Sequence, residues 1–289
     1  MVIKDGLADL HTHTTASDGL HSPTEIVQFA KSAGLAAIAI TDHDTVAGVD
    51  EAIAEGERLG ITVVPGVEVS TVASGNDIHI LGYFTNGSDA KWLARLESLR
   101  DVRNRRNDMI VNRLNELGVD ITMDDVREAE RSKQASSEAS AKAFSIGRPH
   151  IAEVLLRLGA VSSISEAFDK YLGSGAAAYV NPPRPTPFDA VDWIREAGGT
   201  SVIAHPGLYG DDELVDAIVK HGVNGIEVFH YDHSEVEESR YAAMAAQYSL
   251  IVTGGSDFHG SRQGKVFHGA VGSRTVDAGT IAYLRRPNL

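Results

Sequence analysis

The stretch DLHTHTTASDG, residues 9–19, places His11, His13 and Asp18 close together. Residues two apart in an extended segment point to the same side of the chain, so His11 and His13 can approach one ion together. Imidazole and carboxylate groups are ligands that suit zinc, manganese or iron. The stretch alone fits both a chance cluster of histidines and a metal site, and the rest of the sequence has to distinguish the two.

Metal-capable side chains follow nearly every short apolar run further along the chain. These runs read IAITDHD, VVPGVEVS, DIHILGY, SVIAHP, GIEVFH and VTGGSDFHG, and they supply His43, Glu68, His79, His205, His230, Asp257 and His259; His79 alone stands at the start or middle of its strand pattern. One histidine at a strand end is usually an ordinary polar residue, but so many at successive ends are hard to attribute to chance. We therefore predict a metal cluster. No such motif surrounds His21, His221 or His268, and we predict no role for them.

Three further acids in these motifs are open to other interpretations. Asp42 either binds a metal or orients an imidazole from behind. Asp44 is also interpretable as the cap of a helix that begins at Thr45. Glu227 lies inside the run GIEVFH and is a weaker ligand candidate than the histidine that ends it.

The elements that must position these side chains alternate between strand and helix patterns in residues 1–85 and 181–289. In SPTEIVQFAKSAG, Ser22 and Pro23 begin a helix that Gly34 ends, and the buried strand LAAIAIT follows. The helix PTPFDAVDWIREAGG begins in the same way, at Thr186. Such alternation predicts a parallel sheet or a barrel, in which the carboxyl ends of the strands converge on one face.

Residues 86–180 show helical patterns without a clear strand, and we interpret them as a helical insertion. Within it, the Ser/Ala-rich segment 132–145 is expected to be a mobile loop. Arg103, Arg105 and Arg106 form a basic cluster. A solvated helix face is the favoured interpretation of this cluster, and a contact with a second phosphate or a nucleic-acid strand is the alternative.

The amino-acid composition excludes some classes of function and argues against others. The chain has no cysteine, which excludes disulfides, thiolate metal sites and a cysteinyl-phosphate route. Its net charge of −14 argues against broad binding of nucleic acid or membranes. The insertion is charge-balanced, so the remainder carries the acidic excess, which divalent cations would offset locally. No apolar run has the length of a signal peptide or a membrane span, and we expect a soluble, cytoplasmic protein.

The ordered motifs together resemble the polymerase and histidinol phosphatase (PHP) family. The resemblance rests on DLHTHTTASDG, AITDHDTVAG, PGVEVS, IHILGY, VIAHPG, GIEVFH and GGSDFHG, which lie on both sides of the insertion. GRPHIAEVLL and the insertion resemble its branch of small nucleotide phosphoesterases and 5′–3′ exoribonuclease-like proteins. The resemblance implies an α/β fold, a distorted (β/α)7 barrel, with residues 1–85 and 181–289 as the catalytic barrel and 86–180 as a substrate cap.

The same resemblance implies two or three divalent cations, manganese, iron or zinc, with magnesium as a further option. It assigns ligands to three sites, with Glu68 bridging: first His11, His13, Glu68 and Asp257, second Asp18, His43 and His259, third Glu68, His79 and His205. Asp18 stands where some family members have histidine. An oxygen ligand makes that site harder and favours manganese or iron over zinc.

The predicted function is hydrolysis of a nucleotide phosphomonoester or phosphodiester by a metal-activated hydroxide. Candidate substrates are a nucleoside monophosphate, a nucleoside 3′,5′-bisphosphate and a short 5′-phosphorylated RNA or DNA end. Arg148 and His230 are the candidate catalytic residues, and His150 and His233 join them as candidate substrate contacts. The alternatives are an amidohydrolase-type enzyme that cleaves a C–N bond and a non-catalytic metal-binding module. No membrane and no stable protein partner is predicted.

Overall fold

The structure, a computed structural model, describes residues 5–134, 146–262, 265–266 and 268–285. The strands in these ranges are β1 (Leu7–Asp9), β2 (Ala37–Ile40), β3 (Thr62–Ala73), β4 (Asn76–Tyr83), β5 (Thr200–Ile203), β6 (Gly225–His230), β7 (Ile251–Gly255), β8 (Ser261–Arg262), β9 (Lys265–Val266) and β10 (Val276–Asp277). The α-helices are α1 (Pro23–Ser32), α2 (Val49–Leu59), α3 (Ala90–Glu116), α4 (Met123–Gln134), α5 (Arg148–Arg157), α6 (Ile164–Ala167), α7 (Pro187–Glu196), α8 (Asp212–His221), α9 (Glu235–Tyr248) and α10 (Thr280–Leu284).

One sheet contains eight of these strands in the order β10-β1-β2-β3-β4-β5-β6-β7. Strands β1, β2 and β3 are mutually parallel, as are β5, β6 and β7, whereas β4 is antiparallel to both of its neighbours. Leu10 N–H donates to the carbonyl of Gly254 at 3.0 Å, and His13 N–H donates to that of Phe258 at 3.0 Å. These bonds join the segments that follow β1 and β7, so the sheet is a nearly closed barrel.

Apolar residues fill the barrel and the layer between the sheet and its helices. Ala8, Leu10, Val64 and Leu81 belong to one buried cluster within the sheet. A second cluster packs α1 and α2 against β2 and β3. Fully burying one valine, leucine or isoleucine side chain contributes about 1.5–3 kcal/mol, so these clusters are the main reason that the strand ends stay in fixed positions.

Local sequence signals set the helix starts. The Ser22 hydroxyl accepts the N–H of Glu25, whose carboxylate accepts the N–H of Ser22, and Thr186 forms the same capping box at α7. Such caps contribute about 1 kcal/mol each. The cap predicted at Asp44 is wrong, because α2 begins at Val49. Asp44 Oδ1 instead accepts the N–H of Ser70, a residue within β3, at 2.8 Å.

The chain divides into two compact units, Met1–Glu97 with Arg184–Leu289, and Ser98–Pro183. The first unit contains the sheet. The second contains α4, α5 and α6 and buries its own apolar side chains, among them Ile110, Ile151 and Leu155. Of the predicted loop 132–145, residues 132–134 belong to the end of α4, and the remainder lies outside the described residues. None of the described helices is long and apolar enough to cross a bilayer.

Candidate metal centre

The parallel strands deliver most of the predicted ligands to one end of the barrel. His11 and His13 follow β1, His43 follows β2, His205 follows β5, and Asp257 follows β7. The chain passes tightly there, since a Cβ on Gly255 would lie 2.4 Å from the Cβ of His11. A glycine before Asp257 is therefore required for the ends of β1 and β7 to meet.

Antiparallel β4 explains why His79, near the start of its strand, also reaches this end. In the β3–β4 register Ser70 lies opposite His79, and Glu68 lies opposite Leu81. The Tyr209 hydroxyl accepts the N–H of His79 at 3.0 Å and donates to the carbonyl of Ala204 at 2.7 Å. The start of β4 is thereby fixed beside the end of β5.

Glu68 lies at the centre of the site and is buried. Its Oε1 lies 2.8 Å from His79 Nδ1 and 3.0 Å from His205 Nε2. Its Oε2 lies 3.0 Å from His43 Nδ1, 3.2 Å from His13 Nε2 and 3.4 Å from His11 Nε2. The two oxygens of one carboxylate therefore face different imidazoles, which is the geometry that a bridging ligand needs.

The donor atoms of the first predicted site converge with the spacing of metal ligands. Asp257 Oδ1 lies 3.3 Å from His11 Nε2 and 3.1 Å from His13 Nε2. Two ligands on one tetrahedral zinc ion, each about 2.0–2.1 Å from it, are about 3.3 Å apart. Within the described part of the chain, none of these three atoms has a hydrogen-bond partner, nor has Glu68 Oε2. Buried polar atoms normally have partners, so this donor set fits a cation.

The second and third predicted sites are also assembled. Asp18, His43 and His259, the residues predicted for the second site, each offer a ligand atom within 4.8 Å of the others, and a nitrogen of His13, predicted for the first site, lies within the same distance of them. Asp18 lies 3.3 Å from His259 Nε2 and 3.8 Å from His43 Nε2. Glu68 joins His79 and His205 in the third. The nine residues predicted as ligands thus come together from six strands of the chain.

Burial and mutual charge decide the protonation of the cluster. Burial raises the pKa of Glu68, but the imidazoles of His79, His43 and His11 outweigh burial and hold that pKa well below its usual value. Burial likewise opposes the positive charge of His13, but Asp257 and Glu68 raise its pKa to about 10. Burial dominates at His205 and lowers its pKa to about 4. Glu68 is therefore ionised, as a carboxylate ligand of a cation must be, whereas His13 must release a proton when a cation binds.

Three buried carboxylates support the site from behind. Glu227 accepts from His11 Nδ1 at 3.2 Å and from the N–H of His205 at 2.8 Å. It thereby performs the imidazole-orienting role considered for Asp42. Asp42 instead accepts from the N–H and hydroxyl of Thr14, at 2.8 and 2.7 Å.

The third of these carboxylates, Asp9, was not predicted. It accepts the N–H of Ser256 at 2.9 Å and that of Gly272 at 2.8 Å, and burial raises its pKa to about 6. It joins the end of β1 to the segments beyond β7.

Two histidines at and just beyond the end of β6 have different surroundings. His230 is buried; its Nδ1 accepts the N–H of Asp232 at 3.2 Å, and its Nε2 lies 3.4 Å from Asp257 Oδ2. His233 donates from Nδ1 to the carbonyl of Val228 at 2.9 Å and accepts at Nε2 from the N–H of Gly207 at 3.1 Å. Both nitrogens of His233 serve the backbone, which argues against its predicted contact with substrate.

His268, for which the sequence predicted no role, lies in the cluster. Its Nε2 is 3.5 Å from Asp257 Oδ2, and its Nδ1 is 2.5 Å from Asp232 Oδ2. Burial lowers its pKa, but the charges on Asp257 and Asp232 outweigh burial and raise it. The motif-poor stretch KVFHGAVG carries no signal that would have revealed this contact.

The basic candidates of the insertion belong to the second unit. Arg148 begins α5, donates to the carbonyl of Leu172 at 3.2 Å, and lies 5.9 Å from the centroid of the Tyr179 ring. His150 Nδ1 accepts the N–H of Gly147 at 2.9 Å, which caps α5. Substrate contact by Arg148 and His150 stays a prediction.

The arginine cluster of α3 differs from the favoured interpretation. Arg105 is exposed, as a solvated face requires, but Arg103 and Arg106 are buried. The pattern follows from helical geometry, because positions three apart share a face and the position between them does not.

Comparison with known proteins identifies the family. The PHP domain model matches residues 9–173. The chain is 34% identical over 259 residues to a 5′-3′ exoribonuclease of Haemophilus influenzae, covering 87% of this chain and 89% of that protein. It is 34% identical over 262 residues to a 3′,5′-nucleoside bisphosphate phosphatase of Chromobacterium violaceum, covering 89% of this chain and 88% of that protein. The chain belongs to the PHP domain family.

Solved structures of similar proteins support the same fold and family. A protein of Bifidobacterium adolescentis described as a metal-dependent phosphoesterase superposes with a TM-score of 0.84 at 32% identity, covering 98% of this chain and 96% of that one. A Chromobacterium violaceum protein described as an amidohydrolase, with bound sulfate, superposes with a TM-score of 0.80 at 32% identity. The match covers 97% of this chain and 98% of that one. The comparisons confirm the predicted family, the barrel-like α/β fold and the assignment as a metal-dependent phosphoesterase.

Proposed function

We propose that the protein hydrolyses a phosphomonoester or phosphodiester of a nucleotide, with two or three divalent cations held by the nine predicted ligands. The observation that carries the proposal is the environment of Glu68, whose two oxygens face separate sets of imidazoles. Such a carboxylate can join neighbouring cations. The relatives named above, an exoribonuclease and a nucleoside bisphosphate phosphatase, support a phosphate ester of a nucleotide as substrate.

Bound cations would lower the pKa of a water molecule that attacks phosphorus and would neutralise charge on the phosphate oxygens. The chain's own residues orient the reaction. Asp257 presents Oδ1 to His11 and His13, and Glu227 fixes the ring of His11 from behind. Because His230 Nδ1 accepts a backbone N–H, its neutral ring carries the proton on Nε2, the nitrogen that faces the cluster. We propose that this N–H, which lies 3.4 Å from Asp257 Oδ2, donates a hydrogen bond to a phosphate oxygen or to the leaving oxygen when substrate is bound.

Arg148 and His150 complete the proposal as contacts of the substrate. A guanidinium can bind a phosphate through two parallel N–H···O bonds, which a neutral imidazole cannot do. Replacement of Arg148 by lysine keeps the charge and removes this fork. We expect Arg148→Lys to raise KM by a larger factor than it lowers kcat. His150→Ala should in addition lower the stability of the protein, because His150 caps α5.

The substrate is proposed to be small. The acidic barrel repels long nucleic acid, and the charge-balanced insertion permits a short strand. The candidates are a nucleoside monophosphate, a nucleoside 3′,5′-bisphosphate and a 5′-phosphorylated dinucleotide. Asp18 gives the second site an oxygen ligand, for which manganese or iron is proposed ahead of zinc. A cytoplasmic location is part of the same proposal.

The test is a side-by-side assay of phosphate release from these three substrates, with chelator-stripped protein to which Mn²⁺, Fe²⁺ or Zn²⁺ is returned. We expect activity on at least one substrate, dependent on metal and lost in His13→Ala. Absence of release from all three with every metal would refute the proposal.

A second candidate function comes from the neighbour described as an amidohydrolase. The same neighbour holds sulfate, a tetrahedral anion of the shape of phosphate, and this favours the phosphoesterase. Amide and cyclic-amide substrates in the same assay separate the two activities. Metal binding without turnover of either class would support the non-catalytic alternative.

A further inference from the structure

The two oxygens of Asp257 have different surroundings. Oδ1 faces His11 Nε2 at 3.3 Å and His13 Nε2 at 3.1 Å, as part of the first proposed metal site. Oδ2 faces away, with His230 Nε2 at 3.4 Å and His268 Nε2 at 3.5 Å. One carboxylate is therefore held between a pair of predicted ligands and a second pair of imidazoles.

His268 is itself held in place. Its Nδ1 lies 2.5 Å from Asp232 Oδ2 and its Nε2 lies 3.5 Å from Asp257 Oδ2, so a ring with a proton on each nitrogen donates to both carboxylates. The next residue, Gly269, donates its N–H to the carbonyl of Ser256 at 2.9 Å. A Cβ on Gly269 would lie 2.2 Å from the Ser273 hydroxyl, so the loop is closely packed at this glycine. This packing fixes His268 beside Asp257.

The backbone gives independent support. His268 has φ of 56° and Asp257 has φ of 52°, both in the left-handed region that side chains other than glycine rarely adopt. Strained backbone persists where the surrounding structure requires it, and it concentrates at functional sites.

We propose that His268, oriented by Asp232, is a positioning residue for Asp257. It holds Oδ2 outside the first metal site, together with His230, and leaves Oδ1 as the single oxygen directed to the cation. Without His268 the carboxylate is free to rotate, and the fixed donor geometry of the site is lost. The inference rests on the metal centre of the proposed function and is independent of the substrate.

The experiment compares His268→Gly, His268→Asn and Asp232→Asn in the full chain. The stripped proteins are titrated with Mn²⁺ by calorimetry, and their unfolding temperatures are measured without metal. Glycine removes the imidazole and relieves the backbone strain, so metal-free stability is kept. Asparagine tolerates positive φ and retains an N–H donor. His221→Asn, at a histidine near the surface paired with Asp192 on α7, is the matched control.

We expect His268→Gly to weaken Mn²⁺ binding about tenfold or more, the usual effect of losing a partner behind a metal ligand, with smaller losses in His268→Asn and Asp232→Asn. Wild-type affinity in His268→Gly would overturn the proposal. So would a loss of affinity accompanied by a lower metal-free unfolding temperature that asparagine does not restore. Weakened Mn²⁺ binding in a protein that releases no phosphate from any nucleotide would leave this inference intact and refute the proposed substrate.

Discussion

Glu68→Gln is the sharpest perturbation of the centre, because it keeps the shape of the side chain and removes one charge. Both oxygens of Glu68 have imidazole nitrogens within 3.0 Å, so the amide can occupy the same space. The neutral amide cannot, however, balance the charge of the cations on its two sides. The change therefore tests the bridge itself, with little alteration of packing.

The expected magnitude follows from Coulomb's law. Two unit charges about 4 Å apart interact by about 4 kcal/mol at an effective dielectric constant of 20, and the double charge of the cation makes this value a lower bound. Since about 1.4 kcal/mol is a tenfold change, the affinity of a bridged cation should fall by at least about three orders of magnitude. The loss should affect both cations that share the bridge, so we expect at least two sites to empty at micromolar metal.

The assay is metal content after dialysis against micromolar Mn²⁺, followed by phosphate release. Glu55→Gln is the matched control, because Glu55 is a carboxylate that accepts from Arg58 and Gln28 outside the centre. The control should keep both its metal and its activity. Retention of wild-type metal content by Glu68→Gln would refute the bridging role, and loss of only one cation would restrict Glu68 to a single site.

The remaining predictions concern neighbouring parts of the molecule. Glu227→Gln should lower Mn²⁺ affinity about 10–100-fold by freeing the ring of His11, and unchanged calorimetric titrations would contradict that role. His13→Ala and Asp18→Ala should lose different metals, which metal analysis of the two purified variants checks; identical content would refute the division into sites. Thr186→Ala removes the cap of α7 and should cost about 1 kcal/mol in urea unfolding while metal content stays unchanged.

The sequence was informative where one residue type served one local purpose. Ser22 and Thr186 predicted helix starts because a cap depends on neighbours three positions away. The predicted metal ligands could be recognised in the sequence because a polar residue directly after an apolar run marks a strand end. This signal does not depend on which residues the ligand contacts in the fold. Their assembly followed from the convergence of parallel strands, a property of the fold class rather than of any pair of residues.

The antiparallel direction of β4 was not predicted, although a signal for it was present in the sequence. Ala73 pairs with Asn76, which leaves Ser74 and Gly75 as a two-residue turn, with φ of 50° and 83°. Positive φ at both central positions is typical of the hairpin turn that joins antiparallel strands, and SG between two apolar runs is compatible with it. This hairpin explains the position of His79, which the sequence left at the start or middle of a strand.

His268 and Glu227 could not be assigned from the sequence, for a different physical reason. Their partners are Asp257 and His11, and neither contact follows from local spacing. A supporting residue is recognised only through the atom it holds, whereas a ligand is recognised by its own chemistry and position at a strand end. The side chains that orient metal ligands can therefore be recognised only from the folded barrel, in which residues as far apart in the chain as His11 and Glu227 make contact.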